Sequence, residues 1–165
     1  MAQCCRERLA VVGKRQGGYT AVTPYLTVAG VMTAIDWYAQ AFGAVPGRIL
    51  QMPDGVVAFA EMRIGDAFVM LCDESPAFQN QGPLAMGGSP VSIHLYVDDV
   101  DTVFAHAVSL GATAKQAPED QFFGDRSGAL ADPFGYTWTL ATQVEALSEE
   151  ELQKRWLAIR DDMGG

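Results

Sequence analysis

The sequence predicts an α+β protein built from two βαβββ modules in tandem. Three observations predict it. PYLTVAGVMTAIDWYAQAFGA and IHLYVDDVDTVFAHAVSLGA repeat one order of strand, turn, helix and Gly-Ala stop. Tyr25 aligns with His94 at an offset of 69 and Gly43 with Gly111 at 68, so the two copies stay in step except for one residue lost in the second helix. Each helix is followed by a short strand and then by two runs joined at a turn, Gly65-Asp66 in one copy and Asp132-Pro133-Phe134-Gly135 in the other.

The elements follow in order. Residues 1–20 form a basic leader, with Arg6, Arg8, Lys14 and Arg15 against Glu7, expected to be loose. The main domain spans 21–145, with modules 21–74 and 91–145 and a linker, 75–90, rich in Pro, Gly and Ser. In the first module 22–28 reads as a strand. Val31, Ile35, Tyr38 and Phe42 fall at helical spacing and Gly43 ends that helix. A short strand at 48–52 meets the turn Pro53-Asp54-Gly55, and strands at 56–64 and 67–72 make a hairpin. The second module gives a strand at 91–97, a helix at 100–110 stopped by Gly111, a short strand at 113–116, and a hairpin of 126–132 with 136–141. Gly128 reads as a bulge or a close backbone approach. Residues 146–165 form a C-terminal helix and tail. Ser148 is the N-cap, Glu151 closes a capping box, and Leu152, Trp156, Ile159 and Met163 make an apolar stripe that must cover something.

Bulk properties narrow the function. A chain of 165 residues holds one domain with a sizeable core. Its net charge of -9 argues against a nucleic-acid reader. No apolar run is long enough for a membrane span and the N-terminus lacks a signal peptide's apolar core, so a cytoplasmic location without membrane or nucleic-acid partners is expected. Cys4, Cys5 and Cys72 have no metal-ligand spacing, and Cys72 reads as a buried free thiol, which suits a reducing compartment.

Alternation assigns the strand faces. In VSIHLYV, Ile93, Leu95 and Val97 face a helix, and Ser92, His94 and Tyr96 point the other way. In VTPYLTV, Thr23, Tyr25 and Thr27 oppose the apolar set, and in YTWTLA so do Thr137 and Thr139. Hydroxyls, phenols and one imidazole suit a semi-polar cavity more than a surface, where Lys, Glu and Arg dominate. His94 is either a hydrogen-bonded interior histidine or a ligand contact or general base. Glu61, among apolar neighbours, needs a partner such as Arg126, Arg63 or Arg48, or serves the cavity. His106 lies off the buried helix face, and Asp98, Asp99 and Asp101 cap the second helix. Phe122 and Phe123, in a loop with Gln121 and Arg126, act as a lid over the cavity or as a structural plug.

The repeat, with HLYVDDVD, EDQFFGDR and DPFGYTW, resembles the vicinal oxygen chelate superfamily of glyoxalases, bleomycin-resistance proteins and extradiol dioxygenases. The nearest resemblance is to a subgroup found beside phosphonate-utilisation genes. The resemblance implies a curled eight-stranded mixed sheet around a cavity, and a homodimer. It also implies four metal ligands, whose positions fall near Thr23, Met70, Ser92 and Thr139. None of these is a strong donor of the expected kind. The expected function is therefore binding of a small organic ligand, with no cofactor and no metal. The contacts would come from Thr23, Tyr25, Ser92, His94, Tyr96, Gln121, Phe122, Phe123, Arg126 and Thr139. The alternative is a metal-dependent lyase, isomerase or dioxygenase using a divalent metal ion with His94 and Glu61 as candidate catalytic residues. A third reading is an assembly protein with a filled, vestigial cavity.

Overall fold

A computed structural model describes residues 18–163. The first module contains β1 (Tyr25–Val28), α1 (Val31–Phe42), β2 (Val45–Gln51), β3 (Val57–Ile64) and β4 (Ala67–Asp73). A 3-10 turn (Pro76–Phe78) and the short α2 (Pro83–Met86) cross to the second module. That module holds β5 (Ser92–Tyr96), α3 (Val100–Ser109), β6 (Thr113–Asp120), β7 (Asp125–Ala131) and β8 (Thr137–Gln143), before α4 (Glu149–Met163).

The eight strands form two four-stranded sheets ordered β1-β4-β3-β2 and β5-β8-β7-β6. In each, the first strand runs parallel to the last and the rest pair antiparallel. The expected single curled sheet is thus two matching sheets that do not close into one. Among the described residues no helix is long and apolar enough to cross a membrane.

Most boundaries follow from local chemistry. Gly43, at φ 66, ends α1 in the left-handed conformation that a side chain would oppose. β1 starts later than alternation suggested, because Pro24 has no N–H and Thr20 and Thr23 spend their hydroxyls on a bend. β6 runs four residues further than expected, to Asp120. It crosses Pro118 by a register shift between Gln116 and Glu119. Gly128 on β7 makes room for that irregularity, since a Cβ there would lie 2.9 Å from the Pro118 nitrogen.

Apolar faces of both sheets pack on α1 and α3 in one core that includes Leu26, Ile35, Met62, Leu71, Leu130 and Leu140. Aromatic rings join the modules: Tyr38 lies 5.5 Å and Phe42 4.9 Å from Trp138. Asp132 sits inside this cluster. Its carboxylate accepts bonds from the Tyr38 hydroxyl (2.5 Å), Trp138 Nε1 (2.8 Å) and the amides of Phe134 and Tyr136 (both 2.9 Å). The turn it opens is closed by Gly135 N–H to the Asp132 carbonyl at 3.1 Å. Asp132 therefore shapes the hairpin and also locks the first module's helix to the second sheet. Trp37 Nε1 adds a bond to the Leu110 carbonyl at 2.9 Å. His106, exposed as its helix position predicts, reaches the Gln40 carbonyl at 3.1 Å.

The α4 start is partly as expected. Ser148 Oγ accepts the Glu151 N–H at 3.2 Å, but the Glu151 carboxylate turns to Arg155 and Lys154 rather than back toward the cap. Arg155 also pairs with Glu145 at 2.8 Å.

Candidate functional site: the groove between the two sheets

β1 and β5 are the inner edges of the two sheets, and a groove of about 610 Å³ runs between them. Val22, Pro24 and Tyr25 line one side, Ser92 and His94 the other, and Tyr136 closes the base. The Tyr136 hydroxyl donates to the Thr27 carbonyl at 3.1 Å and accepts the Thr27 N–H at 3.0 Å, so a phenol at the end of the β7–β8 turn is stitched to the edge of β1.

Strand alternation places the side chains. On β5, Ile93 and Leu95 turn toward the helices, leaving Ser92, His94 and Tyr96 on the open face. Register sets Thr137, Thr139 and Ala141 beside them, with His94 directly opposite Thr139. The His94 and Tyr96 rings lie 4.8 Å apart. Tyr96 is 63% exposed, yet its hydroxyl donates to Asp125 Oδ2 at 2.9 Å. That bond raises the Tyr96 pKa, with burial second, so the phenol stays protonated and oriented. Asp125 itself is buried. It was not foreseen as a site residue, although strand parity from Ser127 would have placed it on this face.

On the first sheet, Tyr25 stands opposite Met70, and Met70 opposite Glu61. Of the arginines expected as Glu61 partners, Arg48 acts, through its backbone N–H and its charge rather than a guanidinium ion pair, and Arg126 pairs elsewhere. The Glu61 carboxylate accepts the Tyr19 hydroxyl and the Arg48 backbone N–H, the latter at 3.2 Å. Tyr19 falls in the leader expected to be loose, yet its ring lies 5.0 Å from Phe68 on the first sheet. Residues 1–17, including Cys4 and Cys5, lie outside the described residues. Cys72 is a buried free thiol that accepts the Asn80 amide at 3.2 Å.

The expected contacts therefore separate. Tyr25, Ser92 and His94 line the groove, with Tyr96 and Thr139 on the adjoining face. Thr23 precedes β1 and gives its hydroxyl to the Thr20 carbonyl at 3.2 Å. Arg126 is on the opposite face of β7. It forms a two-pronged pair with Asp101 of α3 at 2.7 and 2.8 Å and meets Asp120 at 3.0 Å. Asp101, in the first turn of α3, is thus an ion-pair partner, while Asp99, of the three expected aspartates, is the residue that caps α3 directly, accepting Thr102 N–H at 3.1 Å. Phe122 and Phe123 do not close the groove. They pack by α4, where Phe122 lies 5.5 Å from Trp156, and Gln121 turns to Glu119. Arg126 is drawn to α3 by Asp101, and Phe122 to α4 by Trp156, contacts that the local sequence does not announce.

The donor set does not fit a divalent ion. Thr23, Met70, Ser92 and Thr139 are weak ligands, and among the described residues no three His, Cys, Asp or Glu side chains converge. Glu61 and His94 belong to different sheets. What the groove offers is aromatic surface, small hydroxyls and one imidazole able to donate or accept.

Comparison with known proteins agrees with this architecture. The chain is 43% identical over 136 residues, 81% of its length, to the Mycobacterium bovis protein described as "Uncharacterized protein Mb0911c", covering 90% of that protein. The crystal structure of an Arabidopsis thaliana gene product superposes with a TM-score of 0.60 at 27% identity, over 74% of this chain and 98% of that one. A structure titled as a glyoxalase/bleomycin resistance protein/dioxygenase from Nocardioides superposes with a TM-score of 0.56 at 17% identity, over 79% and 87% of the two chains, a likeness of fold. The family profile described as the Glyoxalase/Bleomycin resistance protein/Dioxygenase superfamily matches residues 19–140. With two βαβββ sheets side by side and that match across most of its length, the chain belongs to the glyoxalase/bleomycin resistance protein/dioxygenase superfamily.

Proposed function

We propose that the protein binds a small organic molecule in the groove between β1 and β5, without the metal quartet of its superfamily. One observation carries this reading: a groove of about 610 Å³ is lined by Tyr25, Tyr136, Ser92 and His94 set among the apolar side chains of Val22, Pro24, Leu26, Val91 and Ile93. That volume suits a drug-sized or metabolite-sized ligand. Tyr25 supplies flat apolar contact. His94 and Ser92 supply hydrogen bonds, and Tyr96, held by Asp125, lies on the adjoining face. Membership of the subgroup found beside phosphonate-utilisation genes remains part of the reading and rests on HLYVDDVD, EDQFFGDR and DPFGYTW.

Thermal-shift screening with metabolites, antibiotics and metal ions tests it. A ligand that binds only the native state raises the melting temperature, by an amount that grows with the logarithm of its concentration above Kd. The expected result is a shift from one class of organic compound, with affinity reduced about tenfold or more in His94→Ala. A compound that binds His94→Ala and the unaltered chain equally removes the groove from consideration. Stoichiometric metal retained through purification, and lost in His94→Ala, would turn the reading to a metal-dependent lyase, isomerase or dioxygenase.

A further inference from the structure

The face of the first sheet beyond Tyr25 carries a second arrangement that the groove does not use. Phe68 and Met70 of β4 and Phe59 and Glu61 of β3 share this face. Tyr19 lies on it, with its ring against Phe68 and its hydroxyl donating to Glu61 Oε2.

The backbone is shaped around this contact at two glycines. A Cβ on Gly47 would stand 2.7 Å from Glu61 Cγ, so β2 is notched where the carboxylate lies. A Cβ on Gly18 would stand 2.5 Å from the Phe68 ring, so the segment carrying Tyr19 lies close against that ring.

Glu61 is only 9% exposed. One of its oxygens is fixed by the Arg48 amide. The other takes the phenolic proton of a residue outside the module's strands. A buried carboxylate left without that donor would be costly. The Tyr19 bond, together with the Arg48 amide and charge, holds the Glu61 carboxyl below its ordinary range against the opposing effect of burial.

We infer that this face is a binding site for a para-substituted phenol, occupied by the chain's own Tyr19, which such a ligand displaces. The ring would lie against Phe68 and the hydroxyl would donate to Glu61. Tyr19 is a tethered competitor. A short tether supplies an effective concentration of roughly millimolar, so an external phenol binds the unaltered chain weakly and gains when Tyr19 is removed. The inference is independent of the groove reading, because none of Phe68, Glu61 and Tyr19 lines that groove.

Titration with p-cresol, and with toluene as the analogue lacking the hydroxyl, provides the test. Tyr19→Ala is expected to bind p-cresol about tenfold or more tightly than the unaltered chain, and more tightly than it binds toluene. Adding Glu61→Gln should remove most of the preference for p-cresol. Equal affinity in Tyr19→Ala and the unaltered chain, or a preference untouched by Glu61→Gln, overturns the inference. Ring-labelled tyrosine NMR on the unaltered chain needs no variant to fold: the Tyr19 resonance must move on addition of p-cresol, and a resonance unmoved at saturation overturns the inference. His94→Ala separates the two sites. Unchanged p-cresol affinity in the Tyr19→Ala, His94→Ala chain supports a separate phenol site, whereas loss of affinity places p-cresol in the groove and overturns it.

Discussion

The two modules meet the same structural need with different residues. In the first, Gly30 precedes α1 and offers no side chain, so Asp73 at the end of β4 reaches across. Its carboxylate accepts the amides of Gly30 (3.0 Å), Val31 (2.8 Å) and Val57 (2.7 Å). In the second module, 69 residues on, Asp99 replaces Gly30 and Thr142 replaces Asp73. Asp99 caps α3 locally. Thr142 accepts the Val100 amide at 2.9 Å and returns its own proton to the Val97 carbonyl at 2.9 Å. One carboxylate bridging two elements thus corresponds to a local Asp99 cap and a separate Thr142 hydroxyl that bridges β8 to α3.

The open faces differ in the same manner. Tyr25 corresponds to His94, Thr27 to Tyr96 and Met70 to Thr139, and by register Glu61 corresponds to Ala129. The first face is aromatic and sulfur-rich, and Tyr19 lies over part of it. The second is made of small hydroxyls around an imidazole. Backbone geometry is shared, so matched positions are free to change chemistry provided buried polar groups keep partners. The site's individuality lies where the copies disagree.

Substitutions can break or sharpen this contrast. The largest effect is expected at the junction. Asp132→Ala leaves the buried donors of Tyr38 and Trp138 unpaired and should cost about 3–4 kcal/mol in urea denaturation, whichever module melts first. Next comes Asp73→Ala, which strips the α1 terminus and the start of β3 together and should cost about 2 kcal/mol. Asp99→Ala should lower the melting temperature less, because Thr142 still holds the Val100 amide. Equal losses at Asp73 and Asp99 would contradict the unequal sharing described above.

Two of the buried carboxylates, Glu61 and Asp132, give pH signatures of opposite sign. Tyr19 lowers the Glu61 pKa from its ordinary 4.5, so the stability it contributes is full above that value and is lost as pH falls through the folded value. Burial raises the Asp132 pKa from its ordinary 3.8, so its contribution is full below that value and declines as pH rises through the folded value. Stability measured between about pH 3 and 7 should show the Tyr19→Phe deficit shrinking toward acid and the Asp132→Asn deficit shrinking toward neutral pH. Parallel curves would break the distinction. The smallest effect belongs to Arg126→Met. The guanidinium faces Asp101 and Asp120 on the helix side, so ligand affinity in the groove should not change.

Much of this was legible in the residues themselves. The α1 span matches its helical apolar spacing and glycine stop, and the 69-residue repeat carried the tandem architecture. The faces of β1, β5 and β8 followed from alternation. What could not be read depended on contacts remote in sequence. Tyr19 meets Glu61 across 42 residues, and Tyr38 meets Asp132 across 94. No local pattern announces either pairing. Arg126 was misplaced for a narrower reason: its charge suggested a ligand, whereas the parity of β7 sends it toward α3.

The Tyr136 phenol has a consequence for how copies of this chain behave in company. β1 pairs with β4 on one side, and on the other its Thr27 amide and carbonyl are satisfied by a single oxygen that mimics an adjacent strand. An exposed strand edge recruits other strands. Tyr136→Phe would leave that edge bare, and a neighbouring polypeptide could then complete the ladder in place of the missing hydroxyl. One phenol thereby occupies the backbone groups of Thr27 that a strand added to β1 would need.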